Sequence, residues 1–331
     1  MASIKEVAER AQVSTASVSR VLAGKKVRPE VLKRVMKAVD ALGYRPNRVA
    51  RSLRSNKSTT IGLVVADIQN TYFTQICRAV EDTASRSGFA VFLCNSDEDP
   101  AKESTYLSLL RDENVAGAIV APTAETIRTL QPEALLQLPL VMIDRHPGRL
   151  AVDSVVLDNV GAASELTAHL LTHGRRRIAG LFGANSATGA ERHKGFLAAH
   201  HALKLEPIKE LTRFVPPRQD DGYSAAKALL AMSHPPDALI TSNGLLAAGA
   251  FRAIAESGLA CPEKIAFASF DDTMWAPMVS PAVTVIEQPT YEIGQTATEL
   301  LMARIQNSAR AVRSVTLPYK LIPRQSCGCA R

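Results

Sequence analysis

Ser14-Thr15-Ala16-Ser17-Val18-Ser19-Arg20-Val21-Leu22 is the stretch on which the reading of this chain turns. Val18, Val21 and Leu22 repeat the spacing of one buried helical face, and the remaining positions are small or polar with one arginine. A helix whose outward face is Thr15, Ala16, Ser17, Ser19 and Arg20 can approach base edges in the major groove of DNA without a clash. Ser14 stands where a helix N-cap belongs, its side-chain oxygen able to accept a free backbone N–H. Upstream, Ile4, Val7, Ala8 and Ala11 predict a first amphipathic helix, and Gln12-Val13 breaks its period. Two helices joined by so short a turn form a helix-turn-helix. After a loop at Ala23-Gly24-Lys25-Lys26, Arg28 to Leu42 reads as a third helix. Its apolar positions Val31, Leu32, Val35, Met36, Val39 and Leu42 are expected to close a small core, and Gly43 ends it.

Charge separates this module from the rest. Residues 1 to 60 hold 14 Lys and Arg against 4 Asp and Glu, a net of +10, while the whole chain is only +7. The remainder is therefore at −3, and the basic character belongs to one small module, as phosphate contact with counterion release requires.

From Thr60 onward the texture changes. Continuous apolar runs occur at Ile61 to Val65, Ala90 to Cys94, Gly117 to Val120, Leu140 to Ile143, Ile178 to Phe182, Ala238 to Thr241 and Ile265 to Phe270. Helical patterns such as Phe73 to Ser87 and Gly222 to Ala231 lie between them, the alternation of parallel sheets covered on both faces. The expected fold is α/β: an all-α headpiece at 1–46, a linker at 47–59, and two doubly wound parallel-sheet subdomains over 60–331. Ligands of such sheets sit beyond the carboxyl ends of the strands, so the loops after these runs are where binding is expected.

Composition excludes other classes. At 331 residues and 46% hydrophobic the chain is ordinary globular protein, with no apolar run of membrane-spanning length and no signal-peptide core, which points to the cytoplasm. Five scattered cysteines fit reduced thiols. Cys327-Gly328-Cys329 supplies two sulfurs, half of a zinc site, and nothing near it in sequence completes one, so no metal or cofactor is expected. A G-x-S-x-G elbow, a P-loop, a metal-spaced His cluster and a Gly-rich dinucleotide turn are all absent, and the chain does not read as an enzyme.

The ordered set V-A-x-x-A-x-V-S, V-S-R-V-L, A-L-G-Y-x-P-N and R-x-A-x-x-L within residues 4 to 55 resembles the headpiece of the LacI/GalR family of bacterial repressors. The resemblance implies base reading by Thr15, Ala16 and Arg20, with Ser14, Ser17 and Ser19 nearer the DNA backbone. It also implies a hinge helix spanning Arg48 to Arg54, with Asn47, Arg48 and Ala50 on DNA. Leu53 would wedge into the minor groove, a known way to unstack a base step and bend the duplex. That segment is too short to hold a helix alone in water, which fits formation on the operator.

The resemblance continues to the end of the chain, where it implies a two-lobed core of the periplasmic-binding-protein kind. On the matching motifs the effector contacts would be Asn70, Tyr72 and Phe73 after the first strand; Asp144, Arg145 and Asp158 in two further signatures; and Arg192, Asn243, Asp272, Trp275 and Gln288. Where the family commonly has Asn-Asp, this chain has Asn243-Gly244, a lost carboxylate that would favour an anionic ligand; Phe270 to Pro277 followed by Val285 to Pro289 is also similar to members associated with gluconate or ketogluconate.

The implied function is a repressor of carbohydrate or sugar-acid catabolism genes, controlled by a small effector between the lobes. It would act as a homodimer on a double-stranded operator, at the nucleoid of a bacterial cell. The alternatives are a cytoplasmic sugar-binding protein without a DNA role, and an activator or co-repressor-dependent regulator.

Overall fold

The computed structural model describes residues 2–22, 24–44, 58–130 and 138–329. The expected hinge residues Asn47, Arg48, Ala50 and Leu53 lie outside the described residues. The chain divides into two compact units, 1–58 and 59–331.

In the first unit the periodicity sets three helices, α1 (Ile4–Ala11), α2 (Thr15–Leu22) and α3 (Pro29–Leu42). Ser3 and Glu6 form a reciprocal capping box at the start of α1. Gln12, at φ 51°, ends that helix in the left-handed region, and Ser14 Oγ accepts from Ser17 N at 3.2 Å to start the next. Val7, Ala8, Ala11, Val18, Val21, Val35 and Ala38 make the core. The expectation for α3 was partly wrong, since Leu32 and Met36 are exposed. Its inward face runs through Val35 and Ala38 because a core of three short helices covers only a narrow stripe.

The second unit holds two sheets of six strands each. Lobe 1 contains β1 (Thr60–Val65), β2 (Ala90–Asn95), β3 (Ala118–Val120), β4 (Leu140–Ile143) and β5 (Asp153–Leu157). Its helices are α4 (Thr71–Arg86), α5 (Pro100–Asp112) and α6 (Ala124–Thr129). Lobe 2 contains α7 (Asn159–Thr172), β6 (Ile178–Gly183), α8 (Ala187–Ala202), β7 (Thr212–Val215), α9 (Gln219–Leu230), β8 (Ala238–Thr241), α10 (Gly244–Ser257), β9 (Ala266–Phe270) and β10 (Thr284–Glu287). The chain then returns to lobe 1 with α11 (Thr290–Gln306) and β11 (Ser314–Leu317), and ends in lobe 2 with β12 (Lys320–Ile322).

The strand orders are β11-β5-β4-β3-β1-β2 and β12-β10-β9-β8-β6-β7; every pairing is parallel except that of β10 with β12. The chain thus passes between the lobes at residues 157–159, 287–290 and 317–320. Central strands β4, β6 and β9 are buried throughout, and β1 from Ile61 onward, which is why they read as unbroken apolar runs. In each sheet the order reverses beside the first strand, so a crevice opens at the carboxyl ends of β1 and β3 in one lobe and of β6 and β8 in the other. In lobe 2, α9 and α10 pack so closely that a Cβ on Gly249 would lie 1.9 Å from the Gln219 carbonyl oxygen. Among the described residues no helix is long and apolar enough to cross a membrane.

Candidate DNA-binding face and effector cleft

On α2 the packing of Val18 and Val21 turns Thr15, Ala16, Ser19 and Arg20 outward, all exposed, with Ser17 half-buried beside Ser14. The Ser14 and Ser17 hydroxyls lie 3.0 Å apart. This face is small, hydrogen-bonding and cationic at one point, the chemistry that major-groove reading demands.

In the second unit the strand ends of both sheets face a single cavity of about 760 Å³. Lobe 1 contributes Asp67, Gln69, Asn70, Tyr72 and Phe73 after β1, Asp97 and Glu98 after β2, and Asp144 and Arg145 after β4. Lobe 2 contributes Ser186, Thr188 and Arg192 around the start of α8, Pro216 to Asp221 after β7, Ser242, Asn243 and Leu245 after β8, and Asp271 after β9. Gln288, on the second inter-lobe crossing, completes the lining.

The two lobes place carboxylates at equivalent positions. Asp144 follows the fourth strand of one sheet and Asp271 the fourth of the other, with φ of 70° and 73°. This left-handed conformation is uncommon outside glycine, and it turns each side chain back over the strand ends.

Arg192 is the hub of lobe 2. It is buried, its Nε donates to Asn159 Oδ1 at 2.9 Å, its Nη1 to the Ser242 carbonyl and its Nη2 to Gln288 Oε1 at 3.3 Å. Its guanidinium lies 4.0 Å over the Phe270 ring. Gln288 Nε2 in turn donates to Asp271 Oδ1, whose other oxygen accepts the Gly244 amide at 2.8 Å. Gly244, where the family's acid was expected, meets Thr273 closely: a Cβ there would lie 2.7 Å from Thr273 Cγ2. In lobe 1, buried Arg145 pairs with Glu98, donates to the Pro122 carbonyl and holds Nε 3.5 Å from Asp144 Oδ2. Burial raises the Asp144 carboxyl above its ordinary range despite the opposing pull of Arg145 and Arg192. Burial, and then the Asp144 charge, raises the Tyr72 phenol. Asn70 and Asn243 each cap a helix, accepting from Tyr72 N at 3.1 Å and Leu246 N at 2.8 Å.

The cavity therefore gathers Asn70, Tyr72, Phe73, Asp144, Arg145, Arg192, Asn243 and Gln288, but not three other expected residues. Asp158 is exposed and caps α7, accepting from Gly161 N at 2.8 Å. Asp272 forms a two-pronged pair with Arg324, both contacts at 2.7 Å, and borders a smaller pocket beside the cavity with Tyr72, Asp271 and Gln288. Trp275 packs on Phe251 at 5.8 Å and, with Met274 and Met278, lines a largely apolar surface that adjoins the cavity through Asn70, Gln219 and Leu245. Asp97, Glu98, Thr188, Asp271 and the run from Pro216 to Asp221 were missed. The rule that ligands meet strand ends pointed at Asp97, Glu98 and Asp271, which follow apolar runs, but not at the run from Pro216, which follows β7, a strand of mixed composition.

Five cysteines were expected as reduced thiols, but Cys327 and Cys329 are joined as a disulfide, while Cys77, Cys94 and Cys261 are free. The tripeptide folds back through Gly328 at φ 78°, bringing the two sulfurs together.

The chain thus carries a helix-turn-helix module and, in its second unit, two α/β lobes around a polar cleft, the two-part build of a DNA-binding regulator. Residues 3–47 match the bacterial regulatory proteins of the lacI family, and residues 58–325 match the periplasmic binding proteins and sugar binding domain of LacI family. The ribose operon repressor of Halalkalibacterium halodurans is 34% identical over 98% of this chain and 97% of its own length. The regulator PtxS of Pseudomonas aeruginosa is likewise 34% identical, over 98% and 95%. The solved lac repressor dimer, bound to operator and the anti-inducer ONPF, superposes with a TM-score of 0.89 at 26% identity, over 98% of this chain and 99% of that one. The chain belongs to the LacI family and is a DNA-binding transcriptional repressor, not an enzyme.

Proposed function

We propose that this repressor controls genes of carbohydrate or sugar-acid use, and that a small polyhydroxylated effector binding between its lobes changes its grip on a near-palindromic operator. The observation that carries this reading is the cavity itself. Polar groups from both lobes converge on one space of about 760 Å³, a size suited to a small ligand. Carboxylates such as Asp144 and Asp271 accept hydroxyl hydrogen bonds, and the Arg192 fork donates them. A ligand touching both lobes shifts their equilibrium by its difference in affinity for the two arrangements.

Thr15, Ala16 and Arg20 would read bases in a cytoplasmic homodimer seated on the nucleoid's DNA, with Ser14, Ser17 and Ser19 on phosphates. Asn47, Arg48, Ala50 and Leu53 would act through the hinge. Two-fold symmetry of the dimer is what a palindromic site requires. A sugar acid of the gluconate or ketogluconate type is favoured by two features: Gly244 leaves the start of α10 without the acid expected there, and cationic Arg218 stands exposed at the rim.

The test is binding of the purified protein to its own upstream DNA at fixed salt, with and without neutral sugars and sugar acids. Release by one compound identifies an inducer, and tightening identifies a co-repressor. No specific DNA binding under any condition overturns the proposal. Titration calorimetry showing a neutral pentose or hexose bound, and no sugar acid, removes the sugar-acid reading alone.

A further inference from the structure

At the end of α7 opposite Asn159, the fold brings a histidine against two cysteines that lie about 160 positions further along the sequence. His169 lies in the last turn of α7, and Cys327 and Cys329 lie in the tail that follows β12. His169 Nε2 stands 2.9 Å from Cys329 Sγ, and the imidazole nitrogen and both sulfurs fall within 4.8 Å of one another. The pair of sulfurs that looked like half a site in the sequence thus acquires a third ligand from the tertiary structure.

A backbone donor and a cation stand beside the tripeptide, and the Arg324 carbonyl lies 3.1 Å from Cys327 Sγ. Cys329 N stands 3.4 Å from Cys327 Sγ, and Arg175 Nη2 would lie 3.0 Å from a Cβ on Gly328, so a guanidinium sits against the tripeptide. Cys327 is fully buried among the core side chains of lobe 2, with Cys329 packed at the same edge. Two sulfurs and one imidazole nitrogen are the donor set of soft, filled-shell cations.

We propose that, in the reduced chain, His169 Nε2, Cys327 Sγ and Cys329 Sγ bind one thiophilic cation, zinc or cuprous copper, and so fasten the tail to α7. Binding releases the two thiol protons as the metal–sulfur bonds form. The disulfide is the competing state; a reductant converts it to the dithiol with two electrons and two protons. With zinc the three protein ligands leave a fourth position for water, whereas cuprous copper is satisfied by three.

The experiment uses the full chain, freed of metal by a chelator and reduced with a phosphine under nitrogen. Reduction should expose all 5 cysteine thiols, against the 3 free in the disulfide form. Zinc is then titrated against a chromogenic chelator, and cuprous copper against bathocuproine disulfonate, so the two arms identify the cation. Cobalt replaces zinc to show sulfur-to-metal charge transfer. We expect one equivalent per chain, with a higher Tm in the loaded protein. His169→Gln and Cys329→Ser, both at half-buried positions, should each lower affinity at least ~10-fold, an effect on the scale seen when metal-site groups are removed. Cys77→Ser, in lobe 1, should leave affinity unchanged, and circular dichroism checks that every variant is folded. Uptake no greater than in the Cys327→Ser/Cys329→Ser double variant would overturn the site. So would full affinity in folded His169→Gln, or a disulfide that survives the reductant.

Discussion

The outer face of α2 and the floor of the cleft solve recognition in opposite ways. On α2, Thr15, Ala16, Ser19 and Arg20 stand exposed, and the side-chain link recorded on that helix is between Ser14 and Ser17. In the cleft, Arg192 already holds three acceptors, and Gln288 and Asp271 continue the network to the backbone of α10. A DNA reader takes its partners from the groove, so its side chains can wait in water at little cost. A buried guanidinium cannot wait unpaired, because a desolvated charge without partners is strongly unfavourable. The lobe-2 side of the cleft is therefore organised by its own hydrogen bonds, from Arg192 through Gln288 and Asp271 to the backbone of α10.

The sharpest way to break this contrast is Arg192→Ala. Loss of the hub should weaken effector binding ~100-fold or more, equivalent to about 2.7 kcal/mol, while operator binding without effector stays within about twofold. Calorimetry and DNA titration together would expose a failure on either side. The reciprocal change, Arg20→Ala, should cost about 1–3 kcal/mol on the operator and leave calorimetric effector affinity untouched.

The neighbouring carboxylates sharpen it further. Asp271→Ala removes an acceptor for Gln288 and Gly244 and should lower effector affinity ~10-fold, about 1.4 kcal/mol. Asp272→Ala should leave that affinity unchanged and lower stability by about 1–3 kcal/mol, because Arg324 loses its carboxylate partner and keeps only the Val283 carbonyl. Equal effects of the two on ligand affinity would mean that the cleft is read wrongly. Leu53→Ala should weaken operator binding several-fold, by about 1 kcal/mol, and random-sequence binding less, in the same salt. Equal losses would remove the wedge role.

The smallest effect concerns a buried acid outside both sites. Glu103 accepts from Thr123 N at 2.7 Å, its Oε1 has no hydrogen-bond partner, and burial raises its pKa above the ordinary 4.5. Above pH 4.5 the folded chain therefore holds this proton longer than the unfolded chain, so stability falls as pH rises from 4.5 through the raised value. Glu103→Gln should flatten that slope in denaturant melts taken across the window; an unchanged slope would assign it to other groups.

Much of the fold could be read because its signals are local. The faces of α1 and α2 repeat with the helical period, and β4, β6 and β9, with β1 from Ile61 onward, are buried along their length and so appear as unbroken apolar runs. Five strands were passed over, and β10 is among them although it lies inside its sheet and is mostly buried; the other four depart from an unbroken apolar run. Edge strands β7, β11 and β12 are only half covered and mix polar with apolar residues, while β5 opens with Asp153-Ser154. Asp153 is tolerated inside because Arg304, from α11, binds its carboxylate, a contact no window of sequence contains.

The sequence by itself determined the helix-turn-helix, the concentration of positive charge in it, the alternation of strands and helices, and the loops from which a cleft would be built. Each follows from spacing within a few residues, where the helical and strand periods dictate which side chains share a face. Tertiary structure alone decided that Asp271 faces the cavity and Asp272 faces Arg324, that Gln288 reaches Arg192, and that His169 meets Cys329. Those encounters depend on chain crossings between two lobes. The physical reason is that a distant contact is set by the packing of whole elements, which no local period encodes.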